Sequence, residues 1–199
     1  MGVQRESVVT SERFARGLTY EQWTAAIDRN QERFQENYEA AELSGEDATA
    51  FRELVGRPDG PARCLALGEP WCPDVFRGLP VMARIAEAGG MELRVFFRDQ
   101  HKDMMAEFLN HGEHESIPTL VFYTRDHRYL CHWIERPALA DAEMHLLRQI
   151  FEGRSREEAL ADYIAFQKGP VWAGWRRETV REIRELLSKH RAEGRGQRA

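Results

Sequence analysis

Cysteine is scarce in this chain. There are three, Cys64, Cys72 and Cys131, in 199 residues. Three thiols cannot all pair within one chain and do not make a disulfide scaffold, so a reducing compartment would keep them free. Long hydrophobic runs are missing too. No stretch approaches the about 18 consecutive apolar residues of a membrane-spanning helix, and Met1–Thr10 has no apolar core of the kind a secretion signal needs. The expectation is a cytoplasmic protein with no membrane partner. Positive charge is not in excess: 28 Lys and Arg against 33 Asp and Glu leave a net charge of −5. That balance argues against nucleic acid as a partner, which needs a basic surface. Internal repeats are absent, and low complexity is confined to the last few residues.

What is present suffices for a core. Hydrophobic residues make up 42 % of the chain, and the length suits one domain with helical additions. A helix is expected from Tyr20 to Leu43, because Tyr20, Trp23, Ile27, Phe34, Tyr38 and Ala41 recur mostly at helical steps. Thr19 and Gln22 can form a capping box, with Leu18 stapled onto Trp23. A shorter helix follows from Asp47 to Val55, and Gly56–Pro61 is a strong breaker. Strands are expected at Arg63–Leu67, Glu92–Phe97, Thr119–Tyr123 and Tyr129–Ile134. Helices are expected at Pro73–Ala88, interrupted by Gly78 and Pro80, and at Gln100–Asn110 and Leu139–Phe151. The order β-α-β-α-β-β-α favours parallel pairing first and an antiparallel hairpin at the close. The fold class expected is therefore α/β, a four-stranded mixed sheet flanked by helices. Two further helices, Arg156–Gln167 and Arg176–His190, follow, with Arg191–Ala199 read as a frayed, solvated tail. The division expected is a helical segment over 1–58, a core over 59–152 and a two-helix extension over 153–199.

The chemistry concentrates in Glu69-Pro70-Trp71-Cys72-Pro73-Asp74-Val75, where the first strand gives way to a helix. Cys72 falls at the N-cap or first residue of that helix. Pro73 suits the first helical position, where its missing N–H has no partner to lose. Unpaired N–H groups and the helix dipole favour a thiolate at Cys72. Asp74 opposes it, so a moderate lowering of the thiol pKa is expected. The thiolate is the nucleophile, and Cys72 is the cysteine with a physical reason to react.

At this point the sequence resembles the thioredoxin-like superfamily. Trp71-Cys72-Pro73-Asp74 matches the start of a Trp-Cys-Pro-Asp-Cys motif. Pro80, eight residues after Cys72, matches the proline in the active-site helix, and Ile117-Pro118-Thr119 matches the family's Ile-Pro-Thr. The resemblance covers residues 62–151. It implies a thioredoxin-like fold, a cis Pro118 lying against Cys72, and an Ile117 backbone able to bond an extended substrate segment. By the same resemblance Trp71, Pro73, Asp74, Ile117 and Pro118 would form the substrate-binding surface around Cys72.

Two departures bear on function. The second cysteine of the motif is Val75, and the buried acid six residues before the first cysteine is Ala66. In thioredoxins the former resolves the mixed disulfide and the latter assists its deprotonation. Cys64, eight residues upstream on a strand, and Cys131, opposite Val121 on the hairpin, are both read as core residues too distant for a disulfide with Cys72. The leading expectation is a monothiol thiol–disulfide oxidoreductase or exchange protein acting on protein thiols or disulfides, with a small-molecule thiol as a second partner. The alternative is a non-catalytic binding module of the same fold. A third reading, a metal- or cluster-binding monothiol protein, draws on His111 and His114 in the loop before Pro118, which are more simply surface histidines. No cofactor is expected. His132 reads as a satisfied or exposed strand residue, and Trp172 and Trp175 as anchors of the C-terminal extension.

Overall fold

The computed structural model describes residues 7–196. The side chains of the tail arginines, Arg191, Arg195 and Arg198, lie outside the described residues, as does the start of the Met1–Thr10 segment. Four strands, β1 (Arg63–Gly68), β2 (Glu92–Phe97), β3 (Thr119–Tyr123) and β4 (Tyr129–Ile134), form one mixed sheet of order β2-β1-β3-β4. β1 and β2 are parallel, with Ala66 opposite Val95. β3 pairs antiparallel with both β1 and β4. The parallel pairing expected of the first strands thus stops at β2. Between β2 and β3 the chain makes a 3-10 turn and the four-residue helix Lys102–Met105, then enters β3 antiparallel to β1.

β1 lies between neighbours and is buried from Cys64 through Gly68, as its unbroken apolar run requires. Gly68 ends it at the site: a Cβ there would lie 2.8 Å from Val75 Cγ1. The next helix, α5 (Pro73–Gly89), is continuous through Gly78 and Pro80 rather than interrupted there. Its bare Gly78 lets the Pro118 ring approach, since a Cβ at 78 would meet Pro118 Cγ at 3.2 Å.

The N-terminal part is more broken than its periodicity predicts. A short helix, α1 (Ser11–Ala15), precedes the expected first element, capped by Thr10. The single helix expected over Tyr20–Leu43 is two, α2 (Tyr20–Ala26) and α3 (Gln31–Glu39). The chain breaks at Ile27, which is extended, and at Asn30, with φ 60°. Asparagine tolerates the left-handed region, and its Nδ2 donates to Pro70 O at 2.8 Å, so the break serves the loop before Cys72. The capping box of Thr19 and Gln22 forms. Helix α4 (Gly45–Val55) packs with α3 on α5.

The helix expected over Gln100–Asn110 shrinks to α6 (Lys102–Met105). Met104, Met105 and Phe108 are buried all the same, because turns carry them onto the sheet. Helix α7 (Ala138–Phe151) and helix α8 (Arg156–Lys168) lie close to expectation. Helix α9 begins at Pro170, not Arg176, and runs Pro170–Gly196. Proline is well placed at a helix start, and the earlier start brings Trp172 and Trp175 onto the helix. Both are buried and packed together, their ring centroids 5.4 Å apart. Trp172 Nε1 donates to Asn37 Oδ1 at 3.0 Å, and Trp175 Nε1 to Glu143 Oε2 at 2.7 Å. Glu182 of α9 accepts from Trp133 Nε1 on β4 and from the Ala138 N–H. One helix thereby joins α3, α5, α7 and β4.

Candidate thiol site

Cys72 is the N-cap of α5, and Pro73 follows as its first residue. A β-strand ending in Gly68, a tight turn through Trp71 and a helix start place the sulfur where β1 meets α5. Cys72 N–H donates to Glu69 O at 3.2 Å, closing that turn. The sulfur contacts the loop before β3: Cys72 Sγ donates to Ile117 O at 3.6 Å. The Ile117–Pro118 bond is cis. Trp71, Cys72, Pro73, Asp74, Ile117 and Pro118 are therefore brought together. Trp71 is 48 % exposed and projects from the site, with the Arg98 guanidinium 5.7 Å from its ring centroid.

The electrostatics reverse the expected lowering of the Cys72 pKa. Cys72 is only 9 % exposed. Burial pushes its pKa up to about 11, and the Asp74 carboxylate adds to the rise. The N–H groups of Val75 and Asp74 act the other way and do not overcome it. Desolvation disfavours a thiolate whatever dipole faces it, and the helix end is itself covered by neighbours. Glu135 adds a further negative charge in reach.

Asp74 is the most elaborately held group here. Arg77, one helix turn on, brings Nη2 to 2.7 Å from Asp74 Oδ1, and Arg136 brings Nη2 to 3.0 Å from Oδ2. Arg136 also pairs with Glu135. Arg77 is buried, and its guanidinium lies over the rings of Trp172 and Trp175, 5.0 and 5.4 Å from their centroids. Tyr163 of α8 lies near enough to feel the charges of Cys72 and Asp74; burial pushes its phenol up to about 12. Sequence reasoning missed these three residues. The i, i+3 spacing of Asp74 and Arg77 was a usable signal. Arg136 and Tyr163 carried none.

Cys64, Cys72 and Cys131 are all free and buried. Cys64 faces Phe122, and Phe122 in turn faces Cys131, so Cys131 lies opposite Phe122 rather than Val121. The two are separated by an intervening strand, about 9–10 Å, beyond disulfide reach. Burial pushes Cys131 up to about 12 and Cys64 well above its ordinary value. Ala66 is fully buried in β1. His111 and His114 are exposed in the loop before Pro118. His132 is half-buried and shares a 2.7 Å hydrogen bond with Tyr129. Among the described residues no three His, Cys, Asp or Glu side chains converge as a metal would need, and no helix is long and apolar enough to cross a membrane.

A thioredoxin family model matches residues 17–149, two thirds of the sequence. The chain belongs to the thioredoxin family. The match begins before α2 and ends within α7, so it takes in much of the N-terminal helical segment as well as the sheet. Two solved structures have the same fold as this thioredoxin-family chain. One is a protein of unknown function from Pseudomonas aeruginosa, 19 % identical, with a TM-score of 0.61 over 88 % of this chain and 95 % of the other. The second is an HIV epitope-scaffold, 17 % identical, with a TM-score of 0.62 over 92 % of this chain and 99 % of the other. At such identities the likeness concerns fold alone. No curated protein matches the chain.

Proposed function

We propose that this is a monothiol thiol-exchange protein with Cys72 as its nucleophile. One observation carries the reading: a single sulfur at the start of α5 lies within 3.6 Å of the carbonyl that precedes Pro118, beside an exposed Trp71. Cys72 loses its proton, attacks a disulfide of a protein partner and forms a mixed disulfide, while the other sulfur leaves as a thiolate. A second thiol, from a small molecule, then attacks the partner's sulfur in that mixed disulfide and releases Cys72. The partner's sulfur ends bonded to the small thiol, and the proton balance closes on the first leaving thiolate. Val75 supplies no resolving thiol, so the external one is required. Trp71, Pro73, Ile117 and Pro118 provide the contact surface, and Asp74 sets the charge beside the sulfur.

A specific observation favours a second reading, a binding module without catalysis: a thiol with pKa near 11 holds its proton at neutral pH. The two differ in a simple experiment. The wild type and Cys72→Ser are incubated at pH 8 with a small aromatic disulfide, then with reduced glutathione. Exchange predicts an adduct on Cys72 in the native wild type, its release by glutathione, and no adduct in the variant. An unmodified Cys72 in a folded protein overturns the proposal and leaves the binding reading.

A further inference from the structure

The C-terminal helix reaches the thiol through one buried residue. Arg77 faces away from solvent on α5, touches Asp74 on one side and lies over Trp172 and Trp175 of α9 on the other. Its Nε has no hydrogen-bond partner among the described residues. A desolvated guanidinium of this kind keeps its place through ring stacking and ion pairing together. The rings are themselves fixed, Trp172 by Asn37 of α3 and Trp175 by Glu143 of α7. A chain of contacts therefore runs from the extension to the charge next to Cys72: α3 and α7, the two indoles, Arg77, Asp74.

We propose that Arg77 is a positioning residue for Cys72: clamped on the Trp172 and Trp175 rings, it fixes the Asp74 carboxylate and a positive charge at the start of α5, so that helix α9 sets the reactivity of the thiol. The proposal deepens the exchange reading, in which Cys72 is the reacting group. The other charges and titratable groups facing Cys72 are Glu135 and Arg136 from the β4–α7 connection and Tyr163 from α8. Arg136 reaches the other oxygen of Asp74 and also pairs with Glu135 and Asp141. It therefore serves several carboxylates, whereas Arg77, among the described residues, pairs with Asp74 alone. Removing Arg77 takes away a positive charge near the sulfur and leaves Asp74 less compensated. Both changes disfavour the thiolate.

The test is the pH profile of Cys72 alkylation by iodoacetamide in the folded full chain, read by peptide mass. Arg77→Met should raise the midpoint by about half to one pH unit, so that alkylation at pH 8 slows by about twofold to threefold, allowing for the higher nucleophilicity of the more basic thiolate. Arg77→Lys keeps the charge without the planar stack and should fall between. Trp172→Phe, with a weaker ring for the cation, should move the midpoint the same way as Arg77→Met, by less. If Arg77→Met destabilises the chain too far, the Arg77→Lys and Trp172→Phe profiles decide the matter. An unchanged or lowered midpoint in folded variants overturns the positioning role. This readout needs no disulfide substrate. Failure of the exchange reading appears as a missing adduct in the wild type, whereas failure of this proposal appears as equal midpoints.

Discussion

Replacing Asp74 with Asn tests the electrostatics of the site most directly. Burial and the Asp74 carboxylate together hold the Cys72 thiol at about 11. Two unit charges about 4 Å apart interact by about 4 kcal/mol at an effective dielectric near 20. Separation along the helix turn and compensation by Arg77 and Arg136 bring this to about 1.4 kcal/mol, or about one pH unit. Asp74→Asn should therefore move the midpoint from about 11 to about 10. At pH 7 a thiol at 11 is about one part in ten thousand ionised, and the variant about one in a thousand. Nucleophilicity falls with basicity, by about threefold per unit, so the net gain at neutral pH is about threefold. Above both midpoints the order reverses and the wild type becomes about threefold faster. Stopped alkylation from pH 7 to pH 12, with the labelled peptide identified by mass, reads both ends. The variant loses some stability, about 1–3 kcal/mol, because Arg77 keeps an amide oxygen in place of a carboxylate. Urea unfolding checks that the chain is folded at each pH. A midpoint that stays put or rises in the folded variant would refute the assignment of Asp74 as a charge that adds to burial in holding the thiol protonated.

Other expectations follow from the same contacts. The folded-state pKa of Cys72 lies above the ordinary value near 9, so the stability it contributes is complete below pH 9 and is lost as pH rises toward 11. Urea unfolding should show the wild type losing up to about 2–3 kcal/mol more than Cys72→Ser over that range; parallel losses would mean that Cys72 is not the group titrating. Val75→Cys, one helical turn from Cys72, should give an internal disulfide under mild oxidation, read as the loss of alkylatable thiols that heat-denatured, reduced protein regains. Two free thiols at these positions after oxidation would exclude a dithiol geometry. Gly68→Ala would push a methyl against Val75 Cγ1 at 2.8 Å and should cost about 1–3 kcal/mol in chemical denaturation. A neutral result would show that β1 and α5 can separate freely. Trp172→Ala should cost about 3–5 kcal/mol in the same assay, since a fully buried indole and its hydrogen bond to Asn37 are lost.

Local chemistry decided much of what the sequence made legible. Strands β2, β3 and β4 fall on the residues expected, because short apolar runs bounded by glycine, proline and polar turns leave little freedom in their ends. Cys72 at the N-cap and Pro73 in the first turn follow from backbone rules that act within a few residues. The split of α2 from α3 was hidden, because an unbroken 3.6-residue period cannot report a left-handed Asn30 whose reason is a hydrogen bond to Pro70, forty residues on. The short α6 was hidden for a similar reason: Met104, Met105 and Phe108 satisfy a helical pattern and are buried equally well by turns.

The sequence by itself determined that this chain carries a sheet with one thiol at a helix start and no second thiol beside it, since those facts depend on residue type and spacing alone. Only the tertiary structure decided the state of that thiol. Burial is a property of what packs over a residue, and Ile117, Arg136 and Tyr163 come to the Cys72–Asp74 corner from different parts of the chain. The helix dipole is local and readable; the desolvation that outweighs it is built by residues far apart in the chain.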